Sequence, residues 1–210
     1  MTAALRHLSR VDPVMAQLIR RAGPHAVRPE RGAGAYEALV QAVAHQQLTG
    51  MAARTILGRF YALYGGDRCP APAQLVATPD EQLRGCGFSR AKAAALKDIA
   101  ARALDGTIPA RRALARMKDE AIIARLIEAR GVGRWTVEMF LMFTLGRQDV
   151  LPVDDYGIRL GYRIAYGRRT LPKPKVLAKF GRRWAPYRTT ASWYLWRAVD
   201  LARAERGQAG

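Results

Sequence analysis

GVGRWTVEMFLMFTLGRQDVLPVDDYGIRLG, residues 131–161, is the stretch on which the reading of this chain turns. Gly131 and Gly133 flank one residue, a spacing that permits positive φ and a tight turn. WTVEMFLMFTLG (135–146) then carries apolar residues at helical spacing and closes on Gly146. A helix launched from a glycine turn leaves the N–H groups of its first turn without intrahelical partners, which suits one phosphate. Beyond the helix, a Pro-containing loop delivers two adjacent carboxylates, Asp154 and Asp155, to the start of another element.

Those aspartates are out of keeping with their surroundings. The chain has 210 residues, 35 Lys and Arg against 17 Asp and Glu, a formal charge of +18 and a sequence pI near 11. From Tyr156 through Val199 there are eleven Lys or Arg and no acidic residue. Only six of the basic residues are Lys, so a bias towards arginine could account for part of the excess. It does not account for the unevenness, and a one-signed segment of this length reads as a surface for a polyanion.

Other classes fall away. No apolar run approaches the ~20 residues of a membrane span. MTAALRHLSRVDPVM has no continuous apolar core, so no secretory signal is expected. Cys69 and Cys86 form no metal spacing with each other or with His7, His25 and His45, and they are expected to stay reduced in a cytoplasmic protein, near the nucleoid if the source is bacterial.

Helical periodicity dominates. Segments 36–47, 51–65, 79–85, 89–106, 119–131, 135–146 and 192–205 each read as one amphipathic helix, several opening on Ser, Thr or Asp and closing on Gly. The linkers are short, as in 65–73 and 171–175, so an all-α fold is expected. LRGCGFSRAKAAAL (83–96) repeats the helix, glycine turn, helix frame of EARGVGRWTVEMFL (128–141).

As one unit, 131–161 resembles the helix-hairpin-helix, Gly/Pro-rich loop and Asp (HhH-GPD) superfamily of DNA glycosylases, and within it the 3-methyladenine DNA glycosylase II group. ALVQAVAHQQLTGMAARTIL (38–57), GCGFSRAKAAALKDIA (85–100) and WAPYRTTASWYLW (184–196) are similar to the family's early helix pair, middle hairpin and C-terminal helix. The resemblance implies a minimal catalytic version without the extra β-domain of some relatives. It implies one domain of two helical lobes, 30–147 with the hairpin at 126–137 and 1–29 plus 148–210, with the active-site cleft between them.

It also implies site residues. Alignment on the hairpin makes Asp155 the catalytic carboxylate; alignment on the Val-Asp pair of the endonuclease III branch makes it Asp154, whose ordinary role would be a helix N-cap. Bifunctional relatives carry a Schiff-base lysine where this chain has Trp135, so a monofunctional enzyme is expected. Trp135 and Trp196, with Met139 and Tyr156, are expected in the base pocket, an electron-rich lining for cationic alkylpurines. Met139 replaces a tyrosine of the larger relatives, which softens the pocket. Gln47, with His45 and Leu48 as alternatives, is expected to wedge into the duplex; Gln46 and Gln47 could equally do no more than end a helix. Gly131, Gly133, Arg134, Thr136 and Arg130 are expected at a DNA phosphate. No cofactor is implied, although the carbonyls of Ile127, Ala129 and Val132 could hold a sodium or potassium ion. The expected partner is double-stranded DNA containing alkylated bases, bound by a monomer away from membranes.

Overall fold

The turn at 131–133 and the loop at 144–155 divide a chain that is helical almost throughout. The computed structural model describes residues 1–24, 29 and 34–208; His25 lies outside them. The described residues form α1 (Ala3–Val11), α2 (Pro13–Ala22), α3 (Ala35–His45), α4 (Gly50–Ala62), α5 (Pro72–Ala77), α6 (Asp80–Gly85), α7 (Arg90–Leu104), α8 (Arg111–Arg116), α9 (Asp119–Leu126), α10 (Arg134–Phe143), α11 (Tyr156–Ala165), α12 (Pro174–Gly181) and α13 (Arg188–Gln208). No strand occurs among them, so the fold is all-α, and none of their helices is long and apolar enough to cross a membrane.

Differences from the sequence expectations have local causes. The segment 36–47 stops at His45 because Gln46 leaves helical geometry and Gln47 takes φ +56°. The segment 119–131 stops at Leu126, where the turn into α10 begins. The final helix is longer than 192–205 and starts at Arg188. α1, α2, α5, α8, α11 and α12 fall outside the seven expected segments. α5 and α8 have six residues each, too few to display a helical period. α11 and α12 lie in the basic stretch and are strongly amphipathic, so helical periodicity is present there too, beneath the run of positive charge.

The chain divides into two compact units, residues 1–29 with 141–210, and residues 30–140. In the first, Leu8, Met15, Ile158, Tyr162, Trp184, Tyr194 and Leu195 form the core. Its polar centre is Asp12, which is 1% exposed. One carboxylate oxygen caps α2 by accepting the Val14 and Met15 N–H groups, both at 3.1 Å. The other accepts the Tyr166 hydroxyl at 2.6 Å and the Trp184 indole N–H at 2.9 Å. A buried carboxylate is tolerable when its lone pairs are filled in this way. α11 and α13 approach closely because position 161 has no side chain; a Cβ there would overlap the Leu195 carbonyl.

The second unit packs α3 and α5 on α7 over Leu39, Val43, Phe60, Leu75, Leu83, Leu96 and Ile99. Ser89 caps α7 by accepting the Lys92 N–H at 3.2 Å. Lys92 in the first turn of α7 reaches the end of α3, and Asp98 further along α7 reaches the turn after α9; the residues expected to meet DNA are built there.

Candidate active site and nucleic-acid interface

Asp155 is the N-cap of α11. Its Oδ1 accepts the Ile158 N–H at 2.7 Å and the Trp196 Nε1–H at 3.0 Å. The capping role expected of Asp154 therefore belongs to Asp155: Asp154 is exposed, one residue too early to reach the third N–H of the helix. Two donors on one oxygen, at the start of the helix, fix the orientation of the carboxylate. Trp196 is fixed in turn. Its ring stacks on Phe143 at 6.0 Å and 26°, and a Cβ on Gly157 would come within 2.9 Å of its Cδ1. Tyr156, at the first position of α11, is exposed.

The second unit holds a separate group. Trp135, half exposed, lines a cavity of about 400 Å³ together with Thr136, Met139, Ala42, His45, Gln46 and Gln47. The expected base-pocket residues Trp135 and Met139 and two of the three wedge candidates, Gln47 and His45, thus meet at one cavity, and its volume suits a small aromatic ligand. Leu48 is exposed beside it. A larger cavity of about 550 Å³ in the first unit, lined by the start of α1, residues 146–148, Tyr187, Thr189 and Thr190, has no carboxylate among its described lining residues.

Between the two helices of the hairpin, Gly131 has φ +76°, and a Cβ there would press on the Ala95 Cβ at 3.2 Å. Gly133 caps α10 by accepting the Val137 N–H at 3.2 Å. The turn is braced from α7: Asp98 Oδ2 accepts the Arg130 N–H at 2.7 Å and the Arg102 Nε–H at 3.0 Å. Arg130 keeps its side chain exposed, whereas Thr136 is buried and faces the cavity. The Arg134 guanidinium, expected at a phosphate, is half exposed and paired with two carboxylates of the protein. It donates to both Glu120 oxygens at 3.1 and 2.6 Å and through Nε to Glu138 at 3.1 Å. This pairing holds the Glu120 carboxyl below its usual range and raises Arg134 above its own. The turn presents main chain and the exposed Arg130, with Arg134 half exposed beside them in its ion pairs.

The basic stretch separates in the same manner. Arg188 grips Asp149 through two bonds of 2.7 and 2.9 Å, and Arg159 donates to the Pro172 carbonyl at 2.9 Å. Arg168, Arg169, Lys173, Lys175, Lys179, Arg182 and Arg183 are exposed, clustered on the loop after α11, on α12 and on the turn that follows. Sequence reasoning missed Gln46, Lys92, Asp98 and Gly157. Of these, Gly157 had a signal, a glycine in the first turn of a helix where only a close approach requires one.

The family model described as HhH-GPD superfamily base excision DNA repair protein matches residues 40–186. The chain is 40% identical to DNA-3-methyladenine glycosylase 1 of Schizosaccharomyces pombe, over 96% of this chain and 89% of that protein. Among solved structures, it superimposes on the S. pombe 3-methyladenine DNA glycosylase in complex with abasic DNA with a TM-score of 0.81 at 40% identity, covering 93% and 96% of the two chains. It is similar also to a DNA-3-methyladenine glycosidase from Bacillus halodurans, with a TM-score of 0.87 at 33% identity, covering 96% and 92%.

Proposed function

The chain belongs to the HhH-GPD superfamily of base excision DNA repair proteins, and from that premise we propose that it is a monofunctional DNA glycosylase excising alkylated purines such as 3-methyladenine and 7-methylguanine from double-stranded DNA. The observation that carries the reading is the Asp155 carboxylate, fixed by Ile158 and Trp196 at the head of α11. Breaking the C1′–N bond leaves positive charge on the sugar, and a preorganised carboxylate stabilises that charge in the transition state. An alkylpurine that is already cationic departs as a neutral base, so the reaction needs no strong general acid. Water then adds at C1′ and loses a proton, leaving an intact abasic site.

Trp135 supports both the substrate class and the single activity. Its indole face at the cavity attracts a cationic ring. It also stands where a lyase would carry its amine nucleophile, so no Schiff base forms there. Neither hydrolysis nor base recognition calls for an organic cofactor. The hairpin carbonyls of Ile127, Ala129 and Val132 are neutral oxygen donors, of the kind that suits a monovalent cation; Ala129 already accepts the Val132 N–H at 3.1 Å and keeps a second lone pair. Such an ion would add positive charge beneath a bound phosphate.

The test is base release from methylated duplex DNA by the wild type and Asp155→Asn. Asn retains a capping oxygen, so the variant isolates the charge. Release is expected to fall at least about a hundredfold, with no borohydride-trappable complex in either protein. Equal release by the two proteins would overturn the mechanism.

A further inference from the structure

The loop after α3 and the hairpin turn are tied together by side chains that neither catalysis nor phosphate binding uses. Gln46 Nε2 donates to the Gly131 carbonyl at 2.9 Å. Lys92, in the first turn of α7, donates through Nζ to the Ala44 carbonyl at 2.9 Å and the Gln46 carbonyl at 2.7 Å. Its ammonium thus sits on the negative end of α3 and satisfies carbonyls the helix leaves open. His45 Nδ1 meets the Gln41 carbonyl at 2.9 Å, and the Leu48 N–H donates to the His45 carbonyl at 3.3 Å.

Inside this frame Gln47 is held at φ +56°, a conformation that a side chain other than glycine adopts only when its surroundings enforce it. The residue before it is fixed at its carbonyl by Lys92 and at its amide by Gly131; the residue after it is fixed at its N–H. The left-handed residue is therefore set by contacts on both sides. It belongs to the cavity that Trp135 lines.

We propose that Gln46 is a positioning residue: through its bond to Gly131, and with Lys92 behind it, it sets the wedge loop at a fixed offset from the hairpin that grips the backbone. This inference rests on the glycosylase reading. A phosphate held at the turn then defines where the loop enters the duplex. Gln46 also lines the Trp135 cavity, but its side-chain N–H is spent on the Gly131 carbonyl.

The experiment compares wild type, Gln46→Met and Gln46→Glu on two duplexes. One is undamaged; the other carries a tetrahydrofuran abasic analogue with 2-aminopurine as its neighbour, whose fluorescence reports stacking disturbed by an inserted side chain. Methionine keeps the length without the N–H donor. Glutamate keeps the shape, but its carboxylate cannot donate to a carbonyl. Both variants are expected to melt as the wild type does and to bind undamaged duplex to within about twofold, with Gln46→Glu compared across a salt series because it also changes the charge. Both are expected to lose about five- to tenfold in affinity for the abasic duplex, the size of one neutral hydrogen bond, together with the fluorescence change. Lys92→Met is expected to reproduce the pattern with a larger loss. Wild-type fluorescence and affinity in both Gln46 variants would overturn the proposal, and so would an equal loss on the two duplexes. A wild type without preference for the abasic duplex would instead sink the glycosylase reading, leaving the two failures distinct.

Discussion

Trp196 Nε1 donates to Asp155 Oδ1 at 3.0 Å, the oxygen that also accepts the Ile158 N–H at 2.7 Å. The tryptophan expected to cover one face of a flipped base is thereby committed to the carboxylate, with its ring laid against Phe143. A residue placed this way acts on rate through the geometry of Asp155. Trp196→Phe keeps the stack and deletes the donor. We expect kcat for 7-methylguanine release to fall about tenfold, in line with the loss of one hydrogen bond to a charged group, while KM stays within about twofold. A rise in KM at constant kcat would assign Trp196 to base binding instead.

Gly157 and Gly161 lie four residues apart on α11, yet their substitutions should fail differently. A Cβ at 157 would come within 2.9 Å of Trp196 Cδ1 and 3.1 Å of Asp155 Oδ1, whereas one at 161 would overlap the Leu195 main chain. An indole and a carboxylate can rotate aside; a helix backbone cannot. Gly157→Ala should therefore lose most base release with a melting temperature within a few degrees of wild type. Gly161→Ala should lose about 3 kcal/mol or more of stability. Thermal unfolding beside the release assay separates the two, and the prediction fails if Gly157→Ala keeps full activity.

How much of this was legible in the sequence depends on how far apart the partners lie. Helix periodicity, the glycine turn and the acidic pair in a basic stretch are local signals, and the all-α class followed from them. Trp135 and Asp155 could be singled out because chemistry demands an aromatic face and a carboxylate in such a frame. The hydrogen bond from Trp196 to Asp155 could not be read, because it spans 41 residues. Charge was misleading for a similar reason. Arg134 and Arg188 count only as positive charge in the sequence, whereas in the fold they pair with Glu120 and Asp149. The adjacency of Asp154 and Asp155 hid the cap, because either satisfies the pattern and only the start of α11 decides between them.

Two partly buried phenols predict an alkaline limit to stability. Burial raises Tyr166 well above the ordinary tyrosine value, assisted by its bond to Asp12, and burial raises Tyr36, with Cys69 beside it. A folded-state value above the unfolded one contributes stability that is fully present below the unfolded value, near 10, and is lost as pH rises past it. Unfolding free energy measured in urea should thus fall more steeply above about pH 10. Tyr166→Phe, though less stable at pH 8, should show a shallower fall, by up to about 1.4 kcal/mol per pH unit. An unchanged slope in that variant would exclude Tyr166 as a cause.

The basic surface predicts a selective salt dependence. Each phosphate contact releases counterions, so replacing one contacting cation should flatten the slope of log K against log salt by about 0.9. Lys175→Ser and Arg182→Ser, both exposed, should do so while leaving stability within about 0.5 kcal/mol. Arg188→Gln breaks the pair with Asp149 and should lower stability with little change in slope. The reverse pattern would move the docking surface away from α12.

The identity of the base should be read by Trp135. Its half-exposed indole at the cavity attracts positive charge, a preference of about 1–2 kcal/mol when desolvated. Trp135→Ala should accordingly slow release of cationic 7-methylguanine about tenfold more than release of any neutral purine, such as hypoxanthine, that the enzyme accepts. Trp135→Phe, which keeps a ring with a weaker face, should fall between. Met139 lines the same cavity without charge or hydroxyl, and Met139→Leu should change the two substrates in parallel. If Trp135→Ala slows both bases equally, the ring packs against the base without selecting its charge, and discrimination must come from the lability of the glycosidic bond itself.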